Sequence, residues 1–95
     1  PGQFPLHYSP GIPLRMNAKK PKKDEAFVLI KKRKISFKNY YYLSKKNNLK
    51  QSAKNLYSLL RQIKKDGYKA VAIEKIQNKG IGKTINDRLL RASKY

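Results

Sequence analysis

The residues with the most chemical promise are Gly80-Ile81-Gly82-Lys83-Thr84. Glycines that let a backbone come close, then a lysine and a hydroxyl residue at a helix start, are what a phosphate-binding loop requires. The full pattern needs another glycine five residues before Gly82, and that position holds Gln77. Two readings stand side by side. In one, free amides at a helix N-terminus and Lys83 hold an anion. In the other, the glycines only shape the turn that starts a helix.

Other reactive chemistry is scarce. The sequence has no cysteine and a single histidine, His7, which excludes disulfides, thiolate nucleophiles and a zinc site built on several histidines. No serine or carboxylate stands at a spacing from His7 that suggests a triad. The carboxylates do not pair for acid–base work: Asp24 and Glu25 sit in a lysine-rich turn, and Asp66 lies near a helix end. Asp87 and Arg88 are consecutive on a helix, so they diverge by about 100° and face different neighbours. By its own residues the chain carries no catalytic or metal-ligating set, and no cofactor is assigned to it.

With 24 basic against 5 acidic residues, the formal net charge is +19. Such a balance invites a nucleic-acid reading. Against it, the bases are 19 lysines and only 5 arginines, in a chain also rich in asparagine, isoleucine and tyrosine. An AT-rich coding sequence produces that mixture in almost any protein, and arginine forks, which read phosphates and bases, are few. Tyr40, Tyr41 and Tyr42 near basic residues offer rings for base stacking. Consecutive strand residues alternate faces, however, so at most Tyr40 and Tyr42 share one, and packing in the core and at the sheet edge is the favoured reading.

These residues must be positioned by a small scaffold. Residues 1–13, PGQFPLHYSPGIP, hold four of the five prolines and form a stiff, extended linker whose Phe4, Leu6, His7 and Tyr8 suit contact with another surface. Residues 14–95 form the domain. Leu14 to Asn17, Ala26 to Ile30, Asn39 to Leu43 and Tyr68 to Ile73 are expected strands, the second apolar throughout as in a buried parallel sheet. Asn48 with Gln51 three residues later marks a helix start. Leu49, Ala53, Leu56, Leu60 and Ile63 follow at helical spacing, and Gly67 stops the helix. A second helix opens at Ile81 or Gly82, with Ile85, Leu89 and Ala92 on one face. The order predicts a small α/β domain with a mostly parallel sheet. No apolar run approaches the roughly 20 residues that cross a bilayer, so the chain reads as soluble and cytoplasmic. Its start at Pro1 rather than methionine reads as a fragment, a processed product or the ordered part of something longer.

Three segments together resemble one family. Pro1-Gly2 followed by His7-Tyr8-Ser9-Pro10 is similar to the PG-four residues-HYAP linker of long-form threonylcarbamoyl-AMP synthases, with Ser9 where alanine is usual. Ala53-Lys54-Asn55-Leu56-Tyr57-Ser58-Leu59-Leu60-Arg61 resembles the family's AANLY-LLR helix. Gly80-Ile81-Gly82, Ile85-Asn86-Asp87-Arg88-Leu89 and Arg91-Ala92 resemble its closing GLG-INDRL-RA segment.

The resemblance implies a Rossmann-like, three-layer α/β domain with four to five strands and flanking helices. It implies that an N-terminal YrdC-like catalytic domain, absent from these residues, makes threonylcarbamoyl-AMP from threonine, bicarbonate and ATP. That nucleotidyltransferase-type reaction, with ATP and a divalent cation, serves threonylcarbamoyladenosine modification of tRNA. Partners implied are the catalytic domain and, beyond it, tRNA or the threonylcarbamoyl-transfer complex. Carried onto this sequence, the gate over the active site falls on Pro1, Gly2, His7, Tyr8 and Pro10, and the domain motif on Gly80, Gly82, Asn86, Asp87, Arg88 and Arg91. The region between the first strands is short and lysine-rich where the family often has a helix. The competing readings are a stand-alone basic RNA-binding module and a small nucleotide-binding domain using Lys83.

Overall fold

Residues 13–44 and 48–92 are described by a computed structural model of the chain. Four strands, β1 (Leu14–Ala18), β2 (Glu25–Leu29), β3 (Tyr40–Tyr42) and β4 (Ala70–Glu74), form one sheet in the order β1-β4-β2-β3. Every pairing is parallel. β2 and β4 take the centre because they are apolar on both faces: all of β2 is buried, as are Val71, Ala72 and Ile73. A strand covered on both sides tolerates little else. The three-residue β3 and the half-buried β1 close the edges.

Alternation divides the side chains between two faces. Ala26, Val28, Val71 and Ile73 point to the first, and Phe27, Leu29 and Ala72 to the second. Both helices, α1 (Leu49–Lys65) and α2 (Ile81–Ala92), cover the first face. Leu56, Leu60 and Ile63 of α1 and Ile85 and Leu89 of α2 retain no exposure. Each such burial contributes about 1.5–3 kcal/mol against an exposed side chain. No helix among the described residues is long and apolar enough to cross a membrane.

The start of α1 is built as a relay. The Asn48 side chain accepts from the Gln51 amide at 3.1 Å. Gln51 does not turn back to the cap's own amide, as a simple capping box would. Instead the Asn48 amide donates to Ser44 Oγ, whose hydroxyl donates to Gln51 Oε1, both at 3.0 Å. At the other end Gly67 takes φ 96°, a left-handed turn that costs glycine little.

The second face is closed by connections rather than helices. The parallel strands β1 and β2 are joined by residues 19–24, and β2 and β3 by residues 30–39. Parallel strands need a crossover, and here both crossovers are irregular. Asp24 takes a positive φ of 63° at the end of the first, and Asn17 one of 59° within β1, where its register with β4 shifts between Arg15 and Ala18. Asparagine and aspartate tolerate that region best among residues with a Cβ. The second is pinned by Glu74, which accepts from the Ile30 amide at 3.1 Å and pairs with Arg33 at 3.0 Å. Arg33 also lies over the Phe27 ring, 5.3 Å from its centroid, and Tyr42 donates to Ser36. The expected small Rossmann-like α/β fold is therefore present with four strands, its two helices on one side and ordered chain on the other.

Candidate functional site

The motif that promised phosphate chemistry lies at the corner between β4 and α2. Gly80 takes φ 59° at the turn. The Gly82 amide donates to the Lys79 carbonyl and the Lys83 amide to the Gly80 carbonyl, each at 3.1 Å. Gly82 is buried, and a Cβ on it would overlap the Gln77 carbonyl oxygen and crowd the Ile76 side chain. The glycine thus lets α2 approach the backbone that precedes it. The Gly82 and Lys83 amides, which a phosphate loop would aim at its ligand, are taken by the Lys79 and Gly80 carbonyls.

The rest of the motif divides by what each side chain touches. Asn86 donates to the Ile76 carbonyl at 2.9 Å and locks α2 onto the chain leaving β4. Arg88 reaches the other way and donates to the Ala53 carbonyl of α1 at 3.3 Å. Asp87 is exposed and lines a shallow cleft of about 400 Å³ with Met16, Asn17, Asn78 and Leu90. Arg91 is exposed in the last turn of α2. Gly82, Asn86 and Arg88 therefore hold the scaffold together, while Asp87 and Arg91 are left at its surface. Among the described residues no group of three or more histidine, cysteine, aspartate or glutamate side chains could hold a metal ion.

Two polar constellations went unread in the sequence. Arg15 and Glu25 form a two-pronged pair, Nε to Oε2 at 3.0 Å and Nη2 to Oε1 at 2.9 Å. Burial pushes the Glu25 carboxyl up, but the Arg15 hydrogen bonds, the Lys22 amide and nearby positive charge together hold it below its usual range. At the opposite face Tyr41 donates to Asp66 at 2.5 Å, and Gln62 donates to the same carboxylate at 2.7 Å. Those two hydrogen bonds lower the Asp66 carboxyl, while burial and then Asp66 raise the Tyr41 phenol. A long-range partner leaves no local pattern; only the isolated carboxylates in a lysine-rich chain hinted that each would be claimed.

The tyrosine run is spent on packing. Tyr40 and Tyr42 lie against the second-face cluster and Tyr41 against the first, all half-buried. Among the described residues the aromatic ring that stays exposed is Phe37, in the second crossover. The proposed gate residues Pro1, Gly2, His7, Tyr8 and Pro10 lie outside the described residues.

Sheet order, strand direction and the two helices define a small, Rossmann-like parallel α/β domain. Residues 1–94 match the family model for the C-terminal domain of threonylcarbamoyl-AMP synthase, and the chain belongs to that family. In full-length enzymes of the family such a domain accompanies a YrdC-like catalytic domain. Neither the curated proteins nor the solved structures yield a match.

Proposed function

We propose that this chain is the noncatalytic C-terminal domain and linker of a threonylcarbamoyl-AMP synthase, with the linker gating the catalytic domain's active site. The observation that carries the reading is the family match, which takes in the linker and the domain together over residues 1–94. The fold is compatible with it. Pro13 joins the sheet at the amino end of the edge strand β1, its carbonyl accepting from the Val71 amide at 2.9 Å. The linker therefore meets the domain at a sheet edge, and twelve extended residues reach at most about 43 Å from there.

In this reading the domain is an anchor. Gly82, Asn86 and Arg88 keep α2 against the sheet and α1, and residues 1–12 work at the neighbouring active site. The prolines of the gate, Pro1 and Pro10, stiffen the segment and lower the entropy lost when it closes. His7 and Tyr8 cover the threonylcarbamoyl-AMP intermediate and exclude water, which readily hydrolyses an acyl phosphate. ATP, the divalent cation, threonine and bicarbonate belong to the catalytic domain, and the place of action is the cytoplasm.

The test is the full-length protein carrying His7→Ala with Tyr8→Ala. Pyrophosphate released per threonylcarbamoyl-AMP recovered is expected to rise, because the intermediate leaks to water. An unchanged ratio and an unchanged yield would sink the gating role.

A further inference from the structure

We propose that the β2–β3 crossover is a binding surface for single-stranded nucleic acid, with Phe37 as the stacking platform and Lys31, Lys32, Lys34 and Lys38 as phosphate contacts. Every residue from Lys31 to Lys38 is exposed. Within that span two large apolar side chains face water, Ile35 at 70% and Phe37 at 59% exposure. An exposed apolar pair costs solubility, so its presence among cations is the informative feature.

The crossover is also held in place rather than left loose. Arg33 is engaged by Glu74 and lies over Phe27, Ser36 accepts from Tyr42, and Phe37 meets Tyr40 edge-on with ring centroids 5.3 Å apart. An aromatic ring held on one side and open on the other is already ordered for a base. The remaining four cations of the span are lysines; Lys38 shares a cleft with Asp24 and Asp66.

Charge and composition select the partner. Protein interfaces are depleted in lysine, because its long chain loses entropy when ordered and its ammonium is strongly hydrated. A phosphate backbone needs neither burial nor fixed geometry, and gains from counterion release. An exposed ring beside such lysines completes the pair of contacts by which single strands are bound without base-edge readout. Duplexes hide their base faces, so they use only the lysines.

The experiment is a fluorescence titration of the 95-residue chain with labelled oligouridylate, its deoxy counterpart, a duplex of equal length, and heparin, each across a salt series. Both single strands are expected to bind, since stacking and phosphate contact do not read the sugar. Four phosphate contacts predict a log-affinity slope of about −2.8 against log salt for single strands. Phe37→Leu keeps apolar bulk against Tyr40 but removes the π-face, and should weaken single-strand binding about 5- to 150-fold. Phe37→Tyr should restore it, and heparin binding should not change in either variant. Lys34→Gln with Lys38→Gln should flatten the slope by about 1.4.

Unaltered single-strand affinity in Phe37→Leu, or heparin binding as tight as the single strands, overturns the proposal. So does an equal loss from Lys50→Gln with Lys54→Gln on α1, which would mean diffuse attraction. A Phe37 variant that instead loosens contact with a catalytic domain, with no oligonucleotide affinity in the parent, assigns the surface to protein and overturns it as well. The surface is independent of the linker reading, because none of these variants touches residues 1–12.

Discussion

Arg15 and Glu25 clasp each other across β4, joining two strands that do not pair. Arg15 lies beside Ala72 and Glu25 beside Ala70 in register. Those alanines keep the second face of β4 low enough for the side chains to meet above it. The same pair holds the first crossover, since Arg15 donates to the Lys20 carbonyl and the Lys22 amide donates to Glu25, at 2.9 and 2.8 Å. A helix that could have covered this part of the sheet is replaced by one ion pair and a short turn.

Removing one partner should therefore cost more than an ordinary surface bridge. The Glu25 side chain is 6% exposed but that of Arg15 is 38%, so the loss from Glu25→Ala is expected at about 1–3 kcal/mol, below that of a fully buried pair. Urea unfolding of the variant measures it. A change under 0.5 kcal/mol would show that water replaces the carboxylate freely.

The same pair sets an acid-side dependence. Because the folded-state Glu25 carboxyl lies below its unfolded value, its stabilisation is present above the unfolded value and is lost as pH falls through the folded one. Stability should hold from neutral pH down to about 4.3 and fall beneath it. Glu25→Gln should flatten that fall, with Asp66, lowered in the same sense, accounting for what remains. Denaturant midpoints from pH 7 to about 2.5 would reveal a matching slope in both proteins if the pair contributes nothing.

On the alkaline side the sign reverses. The Tyr41 phenol is raised by burial and by Asp66, so its contribution is intact below the unfolded value and is lost as pH rises towards the folded one. Stability should decline above about pH 10, and Tyr41→Phe should remove the decline. An equal decline in Tyr41→Phe would place its source in other tyrosines or the lysines.

The two glycines of the β4–α2 corner should rank differently from what a phosphate loop would give. Gly82→Ala drives a Cβ into the Gln77 carbonyl and should destabilise by about 2 kcal/mol or more, as overpacking does. Gly80 has open space around it and only its φ of 59° to protect, so Gly80→Ala should cost about 1 kcal/mol. Thermal midpoints of the two variants decide it, and the reverse order would mean that α2 shifts at no cost.

Ser44 supports the start of α1 without being its cap. Ser44→Ala removes the Asn48 amide's acceptor and Gln51's donor together, and should cost about 1 kcal/mol, close to a lost cap. Amide exchange in the first turn of α1 should speed up while the sheet is unaffected. Unchanged exchange would place the cap's strength in Asn48 alone.

The sequence by itself determined the elements and the family. The apolar run of β2, the spacing Leu56, Leu60, Ile63, the stop at Gly67 and the turn at Gly80 are local signals, because period and turn chemistry act over a few residues. The motif from Gly80 to Arg91 named the family but not its own role: packing of Gly82 on the Gln77 carbonyl depends on how a helix settles against a strand end. Tertiary structure alone decided that both helices share one face, that Arg15 finds Glu25 and Arg33 finds Glu74, and that Phe37 rather than Tyr40 or Tyr42 is left in water. Those outcomes join residues ten or more positions apart, where the chain carries no periodicity to read. They are set by which side chains compete for the same sheet surface. The phosphate-like loop yields its chemistry to packing, and the basic segment Lys31 to Lys38, ambiguous in the sequence, becomes an exposed crossover.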